Sequence, residues 1–183
     1  MDEKQILIFR VSKNSILRNY HKGDIPESTH NQTPCIYSGG GVSLVGAKGL
    51  TTGRFCRFDL DGNKQTLFIG DNCEIGDSVH IVALNRVEIG DNLLAASKVF
   101  ISDTNHGSYK GNNISDHDTS PNDRELVKGE TYIGKNVWIG ENAVILSGSK
   151  IGDGCVIGAN TVVSKEISPN SIVVGHNEVI RQY

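Results

Sequence analysis

Residues 69–80 read IGDNCE-IGDSVH, and residues 133–162 read IGKNVW-IGENAV-ILSGSK-IGDGCV-IGANTV. The same six-residue unit opens on an aliphatic residue each time, and this period decides the fold. Between the two stretches it continues as IVALNR and, after a slip of two residues, as IGDNLL, AASKVF and ISDTNH from Ile89. It then resumes at Val127 as VKGETY and ends on VSKEIS. Of these units only the one at Ala95 lacks Ile or Val at its first place. The fourth place holds Asn72, Asn92, Asn136, Asn142, Gly148, Gly154 and Asn160, residue types that tolerate positive φ.

An amphipathic helix could explain one hexamer, but a repeat of six sustained this long does not match a period of 3.6. The pattern instead describes a short flat strand and a sharp corner, repeated so that three sides close a triangle. First-place aliphatics point inward, with Cys73, Val79, Val99, Val137, Ala143, Cys155 and Thr161 at the fifth place. Successive coils then stack about 4.8 Å apart and pair their backbones. The expected fold class is all-β, a parallel β-helix of hexapeptide repeats.

Composition agrees. The chain of 183 residues carries 19 Ile and 16 Val against 11 Leu, with 21 Gly, a strand-and-turn mixture. A net charge of -3 offers no broad basic surface, which argues against nucleic acid or an anionic membrane as partner. No apolar run approaches the length of a membrane span, so the expected location is cytoplasmic. Cys35, Cys56, Cys73 and Cys155 show no close pairing and read as reduced thiols.

Two segments fall outside the period. Residues 1–68 fit it poorly: Lys4 to Val11 suggests a short strand, Asn14 to Pro34 is polar, and residues 42–68 are expected to form irregular first coils that cap the prism. The run Ser38-Gly39-Gly40-Gly41 lacks the Lys-Ser/Thr of a phosphate loop and reads as a turn. The repeat domain proper is thus expected over 69–183. Within it, the polar excursion at 107–126, GSYKGNNISDHDTSPNDREL, cannot build its own core and marks a ligand loop.

His106 is the one histidine of six at the last regular place before that loop, where a rigid coil could fix it. An imidazole with an ordinary pKa near 6.5 is suited to take a proton from a hydroxyl nucleophile. Main-chain N–H groups of the coil are candidates for holding the resulting oxyanion. Asp103 and Asn105 could orient the ring, cap the loop or, with Tyr109, meet a substrate. Trp138 sits at an outward sixth place, where a large exposed indole needs a reason. Packing against the loop or a neighbouring subunit is the alternative to a ligand cleft.

At this point the chain resembles the hexapeptide-repeat acyltransferases. The segments that carry the likeness are ISDTNHG at 101–107, YIGKNVWIGENAVILSGSKIGDGCVIGANTVVSKEI at 132–167 and VVGHNEVIR at 173–181. The resemblance implies a left-handed β-helix, a homotrimer, acetyl transfer from acetyl-CoA without a metal, and an active site between two subunits. ISDTNHG with its following Tyr109 looks most like the O-acetyltransferases of bacterial surface polysaccharides and sialic acid polymers. The resemblance implies His106 as the acid–base group and Trp138 beside the thioester. It also implies Ala159, Asn160, Ser164, Lys165 and Arg181 along the coenzyme. GHNEVIR lacks the usual G-x-P and is one residue short, and Glu141 stands where smaller polar residues are common. A sugar-nucleotide N-acetyltransferase would use the same coils. A zinc enzyme would need His80, His106 and His117 to converge, and a non-catalytic trimeric scaffold or sugar-binding module would ignore acetyl-CoA.

Overall fold

The computed structural model describes residues 48–61, 64–109 and 114–183 in full, and the backbone of strands Ile6–Phe9, His30–Asn31, Ile36–Ser38 and Val42–Val45 ahead of them. The chain winds as a three-sided prism. Face one stacks Thr51–Thr52, Glu74–Ile75, Leu94–Ala95, Trp138–Ile139, Val156–Ile157 and Ser171–Val174. Face two stacks Arg57–Leu60, His80–Ala83, Phe100–Ser102, Val144–Ile145 and Val162–Val163. Face three stacks Leu67–Ile69, Arg86–Ile89, Glu130–Ile133, Lys150–Ile151 and Glu166–Ile167. Every neighbouring pair of these strands is parallel and in register. Among the described residues the single helical segment is the 3₁₀ turn Pro121–Asp123.

The period dictates this packing. First-place Ile69, Ile75, Ile81, Ile89, Ala95, Ile101, Ile133, Ile139, Ile145, Ile151 and Ile157 are buried, and so are all seven fifth-place residues. Together they form one buried cluster along the axis. Buried Cys56, Cys73 and Cys155 are free thiols of this core; Cys35 lies outside the described residues. Burial pushes the Cys73 and Cys155 thiols above their usual range, which suits packing groups better than nucleophiles.

Corners follow the fourth place. All seven Asn and Gly residues there have positive φ, from 56° at Asn72 and Asn136 to 85° at Gly148. Ser78 (58°) and Lys98 (60°) adopt the same turn without the matching residue type. The second-place glycine has its own cause: a Cβ on Gly140 would lie 2.5 Å from the Ala159 nitrogen of the next coil.

Two differences from the sequence reading concern where the coils begin and resume. The ladder runs back beyond the first coils expected at 42–68, through Thr51–Thr52 and Arg57–Leu60 to the short strands His30–Asn31 and Ile36–Ser38. Ile6–Phe9, within the expected first strand, pairs antiparallel with Val42–Val45. The polar stretch 14–34 outside His30–Asn31 and the glycines at 39–41 lie outside the described residues. After the loop, the coil resumes at Glu130 rather than Val127. Val127 is exposed and belongs to Leu126–Lys128, which pairs antiparallel with Thr104–His106 outside the prism. The valine mimics a first-place residue, but its neighbours exchange bonds with the outgoing strand instead of a coil.

Candidate functional site

The corner between faces two and three carries the loop. Face two ends at Ser102; Asp103 turns inward, and Thr104–His106 leaves with Leu126–Lys128 as a two-stranded stem. His106 is therefore not on the coil, as the sequence reading placed it, but on a strand projecting from it. Its imidazole is exposed and makes no hydrogen bond among the described residues. What holds the residue is its backbone. It lies opposite Leu126, the next amide, Gly107 N–H, donates to the Glu125 carbonyl at 3.1 Å, and the Tyr109 hydroxyl donates to the His106 carbonyl at 2.6 Å.

Asp103 requires a correction. As a substrate ligand it would have to be reachable, yet it is fully buried. Its Oδ1 accepts the Leu84 N–H at 3.0 Å and the Thr104 hydroxyl at 2.6 Å, while Oδ2 accepts the N–H groups of Asn85 at 2.7 Å and Arg86 at 2.8 Å. The carboxylate shapes the preceding coil's corner from inside, and the Asp103 carbonyl anchors the return strand through Gly129 N–H at 2.6 Å and the Ser147 hydroxyl at 2.7 Å. Asn105 and Tyr109 remain exposed beside His106.

Trp138 is on the opposite side. It opens the two-residue strand Trp138–Ile139 on face one, and the indole is 53% exposed. It stacks in register with Leu94 on one side and Val156, then Ile172, on the other. After Val174 the chain reverses through Gly175 and Asn177, both with positive φ near 60°, and Glu178–Gln182 pairs back on face one. That reversal puts Arg181 opposite Ile172, in the Trp138 column, three strand spacings or about 14 Å away. The short GHNEVIR segment thus delivers its arginine to this column by a β-turn of its own.

Ala159 and Asn160 lie at the adjacent corner, between faces one and two, in a groove of ≈ 400 Å³ also lined by Lys98, Glu141 and Asn142. Lys98 Nζ pairs with Glu141 at 3.0 Å, and Asn142 donates to the Asn160 side chain at 2.7 Å. Lys98 and Asn142 line this groove although the sequence reading did not name them. The available signal was a long basic side chain at a fourth place that otherwise favours Asn. Ser164 and Lys165 sit at the two–three corner, the one His106 leaves, two coils further on. Ser164 is tied to the tail by Asn177, whose Nδ2 donates to the serine hydroxyl at 2.9 Å and whose Oδ1 accepts the serine N–H at 2.8 Å. Lys165 is exposed with no ion pair among the described residues.

The expected residues thus form two groups on opposite sides of one prism. Trp138, Arg181, Ala159 and Asn160 occupy face one and its corner with face two. His106, Asn105, Tyr109, Ser164 and Lys165 occupy the corner opposite face one. The three histidines of a zinc site do not converge: His80 Nε2 is 2.8 Å from Asp59 on face two, and among the described residues no group of three His, Cys, Asp or Glu side chains is arranged to hold a metal.

Comparison with known proteins identifies the family. Residues 130–165 match the bacterial transferase hexapeptide (six repeats) family. A putative lipopolysaccharide biosynthesis O-acetyl transferase, WbbJ of Escherichia coli K12, is 39% identical over 152 residues, covering 82% of this chain and 76% of the relative. The chain belongs to the hexapeptide-repeat acetyltransferases. This acetyltransferase also matches the galactoside O-acetyltransferase of E. coli K12, 38% identical over 60% of this chain and 50% of that protein, so it spans half of that relative's length. Among solved structures, a galactoside acetyltransferase in complex with coenzyme A superposes with a TM-score of 0.53 at 28% identity, over 85% of this chain and 64% of that one. AntD, an N-acyltransferase from Bacillus cereus in complex with dTDP and 3-hydroxybutyryl-CoA, superposes with a TM-score of 0.60 at 18% identity over 84% and 74%, a likeness of fold. The left-handed β-helix is the fold these proteins share.

Proposed function

We propose that the protein transfers the acetyl group of acetyl-CoA to a hydroxyl of a bacterial surface-polysaccharide sugar or its precursor, in the cytoplasm where acetyl-CoA is made, as a homotrimer with each site shared by two chains. The observation that carries this reading is the separation of His106 from Trp138 across the prism. A site containing both has to draw them from two copies, and a closed three-fold ring of heterologous contacts supplies such a pairing three times over.

The residues fit the coenzyme. Small Ala159 leaves room for an extended arm to lie against the coil edge in the ≈ 400 Å³ groove. Exposed Arg181 offers charged donors to phosphates on the Trp138 side, Lys165 offers its own from the His106 side of the neighbouring chain, and the Trp138 indole gives an apolar wall at the acetyl end. Acetyl-CoA supplies an acyl group already activated as a thioester; the protein has to supply the proton acceptor. His106, exposed and without a side-chain hydrogen-bond partner among the described residues, can offer a ring nitrogen to the sugar hydroxyl. It takes that proton as the oxygen attacks and returns it to the departing thiolate, a contribution of about 10² to 10⁴ in rate.

Preference for a hydroxyl over an amine rests on the lipopolysaccharide and galactoside O-acetyltransferase relatives. The AntD likeness concerns fold and keeps a sugar amine as the acceptor to test alongside. The deciding experiment is thiol release from acetyl-CoA against methyl galactosides, glucosides, sialic acids and their amino-sugar counterparts. Hydroxyl acceptors should be consumed, and His106→Ala should lower kcat by about 10² or more. Turnover only with amino sugars would replace the O-transfer reading, and near-normal turnover by His106→Ala would remove the base.

A further inference from the structure

We infer that Tyr109 and Arg124 are positioning residues for His106, acting through its main chain; this rests on the acid–base role just proposed. The imidazole has no side-chain partner among the described residues, so the ring can be no better placed than the backbone that carries it. That backbone leaves the rigid coil at Ser102 and stands on a stem of three residue pairs. Two paired strands alone are marginal in water. The stem therefore needs a lock at its tip, and the side chains next to His106 provide one.

The Tyr109 hydroxyl donates its proton to the His106 carbonyl at 2.6 Å and accepts from Arg124 Nη1 at 2.8 Å. Arg124 spends its other donors on the loop: Nε to the Thr119 carbonyl at 3.0 Å and Nη2 to the His117 carbonyl at 3.3 Å, with its carbon 5.9 Å from the centre of the Tyr109 ring. One guanidinium thus joins the turn at 117–119 to the hydroxyl that holds His106. A lysine carries its three donors on one flexible nitrogen and lacks the planar fork that reaches these separated acceptors together. Gly107 allows the arrangement, because with φ of +95° a Cβ there would sit 2.8 Å from Ser115 Oγ and 3.2 Å from Arg124 Cδ. Tyr109, expected from the sequence as a substrate ligand, has its hydroxyl committed to this lock. A displacement of about 1 Å at a catalytic group can cost on the order of 100-fold in rate, so the lock is worth holding.

The test uses the full-length protein with acetyl-CoA and methyl β-galactoside as the probe acceptor, and Tyr109→Phe as the main variant, since it keeps the ring and removes the hydroxyl. The expected result is a fall in kcat of about 10- to 100-fold with the KM for acetyl-CoA and the melting temperature unchanged. Arg124→Gln should fall similarly and Arg124→Lys less. The double variant Tyr109→Phe/Arg124→Gln should lose no more than the worse single, because both act through one chain of bonds. Hydrogen exchange over residues 104–109, which needs no acceptor, should speed up in each. A Tyr109→Phe enzyme with kcat within twofold of the parent, or with unchanged exchange at 104–109, overturns the inference. So does a double variant whose losses multiply. If His106→Ala is inactive while Tyr109→Phe is normal, the positioning role fails and the base stands; if His106→Ala is active, the base itself has failed.

Discussion

The prism has two kinds of corner. Those flanking face one are turned by the chain itself. Asn72, Asn92, Asn136, Asn142 and Asn160 adopt positive φ, and their side chains link coil to coil, with Asn92 donating to Asn136 at 2.9 Å and Asn142 to Asn160 at 2.7 Å. The corner between faces two and three is irregular over the coils that carry the loop. There Leu84, Asn85 and Arg86 fold around a single buried carboxylate supplied by Asp103 one coil later. A repeating corner spreads its cost over many equal residues, whereas the unique corner concentrates it in a few. The repeating corner is fit for stacking, and the unique one is free to hold a reacting group.

That contrast can be broken from its stronger side first. Asp103→Ala strips four donors of their buried acceptor, and a loss of about 3 kcal/mol or more is expected in urea unfolding, with faster exchange of the amides at 84–86. A loss below about 1 kcal/mol would show that the corner is held by something else. On the repeating side, Asn92→Ala should cost only about 1 to 2 kcal/mol, and Asn92→Gly less, because the alanine must bear a left-handed backbone and glycine need not. Equal costs for the two would place the Asn contribution in its side-chain ladder instead of its φ.

A gain should appear where the repeating rule is violated. Phe55 has φ of 59° and is 60% exposed, a bulky residue in the place Asn prefers. Phe55→Asn should raise stability by about 0.5 to 1 kcal/mol, read as a higher melting temperature. An unchanged or lower value would mean that the ring contributes contacts that outweigh its backbone strain. The smallest effect concerns acid. The Lys135 ammonium holds the Asp91 carboxyl below its usual range, and the Arg54 guanidinium does the same for Asp77. Since the folded pKa is the lower one, this stabilisation is complete above the unfolded carboxylate value near 4 and fades as pH falls through the folded value. Both pairs are exposed, so Asp91→Asn should lower the neutral plateau only slightly and flatten the acid limb by the same small amount.

The same distinction explains what could be read from the sequence. Where residues repeat, one rule sets many positions, and the buried first and fifth places, the left-handed fourth places and the outward Trp138 are all visible in the string of hexamers. Positions fixed by a single long-range contact are not. Val127 carries the right residue for a first place and is misread because its partner, Asn105, is visible only in the folded stem. Asp103 looks like a polar neighbour of His106, and nothing local reveals that it faces residues 84–86 of the previous coil. Ser78 and Lys98 take the corner turn through the stacking of coils above and below, against their own preference. Lys98 meets Glu141 because the register brings residues 43 apart in sequence to one groove.

In the proposed trimer the reacting imidazole and the indole beside the acetyl group come from different chains. Its most direct test is to unfold and refold together two separately weakened proteins, His106→Ala and Trp138→Ala, and measure thiol release. If each site takes His106 from one chain and Trp138 from its neighbour, random mixed trimers should regain about a quarter of the parent's sites. Activity that stays at the average of the two variants would mean that both groups serve one chain's own site, contrary to their placement on opposite sides of the prism.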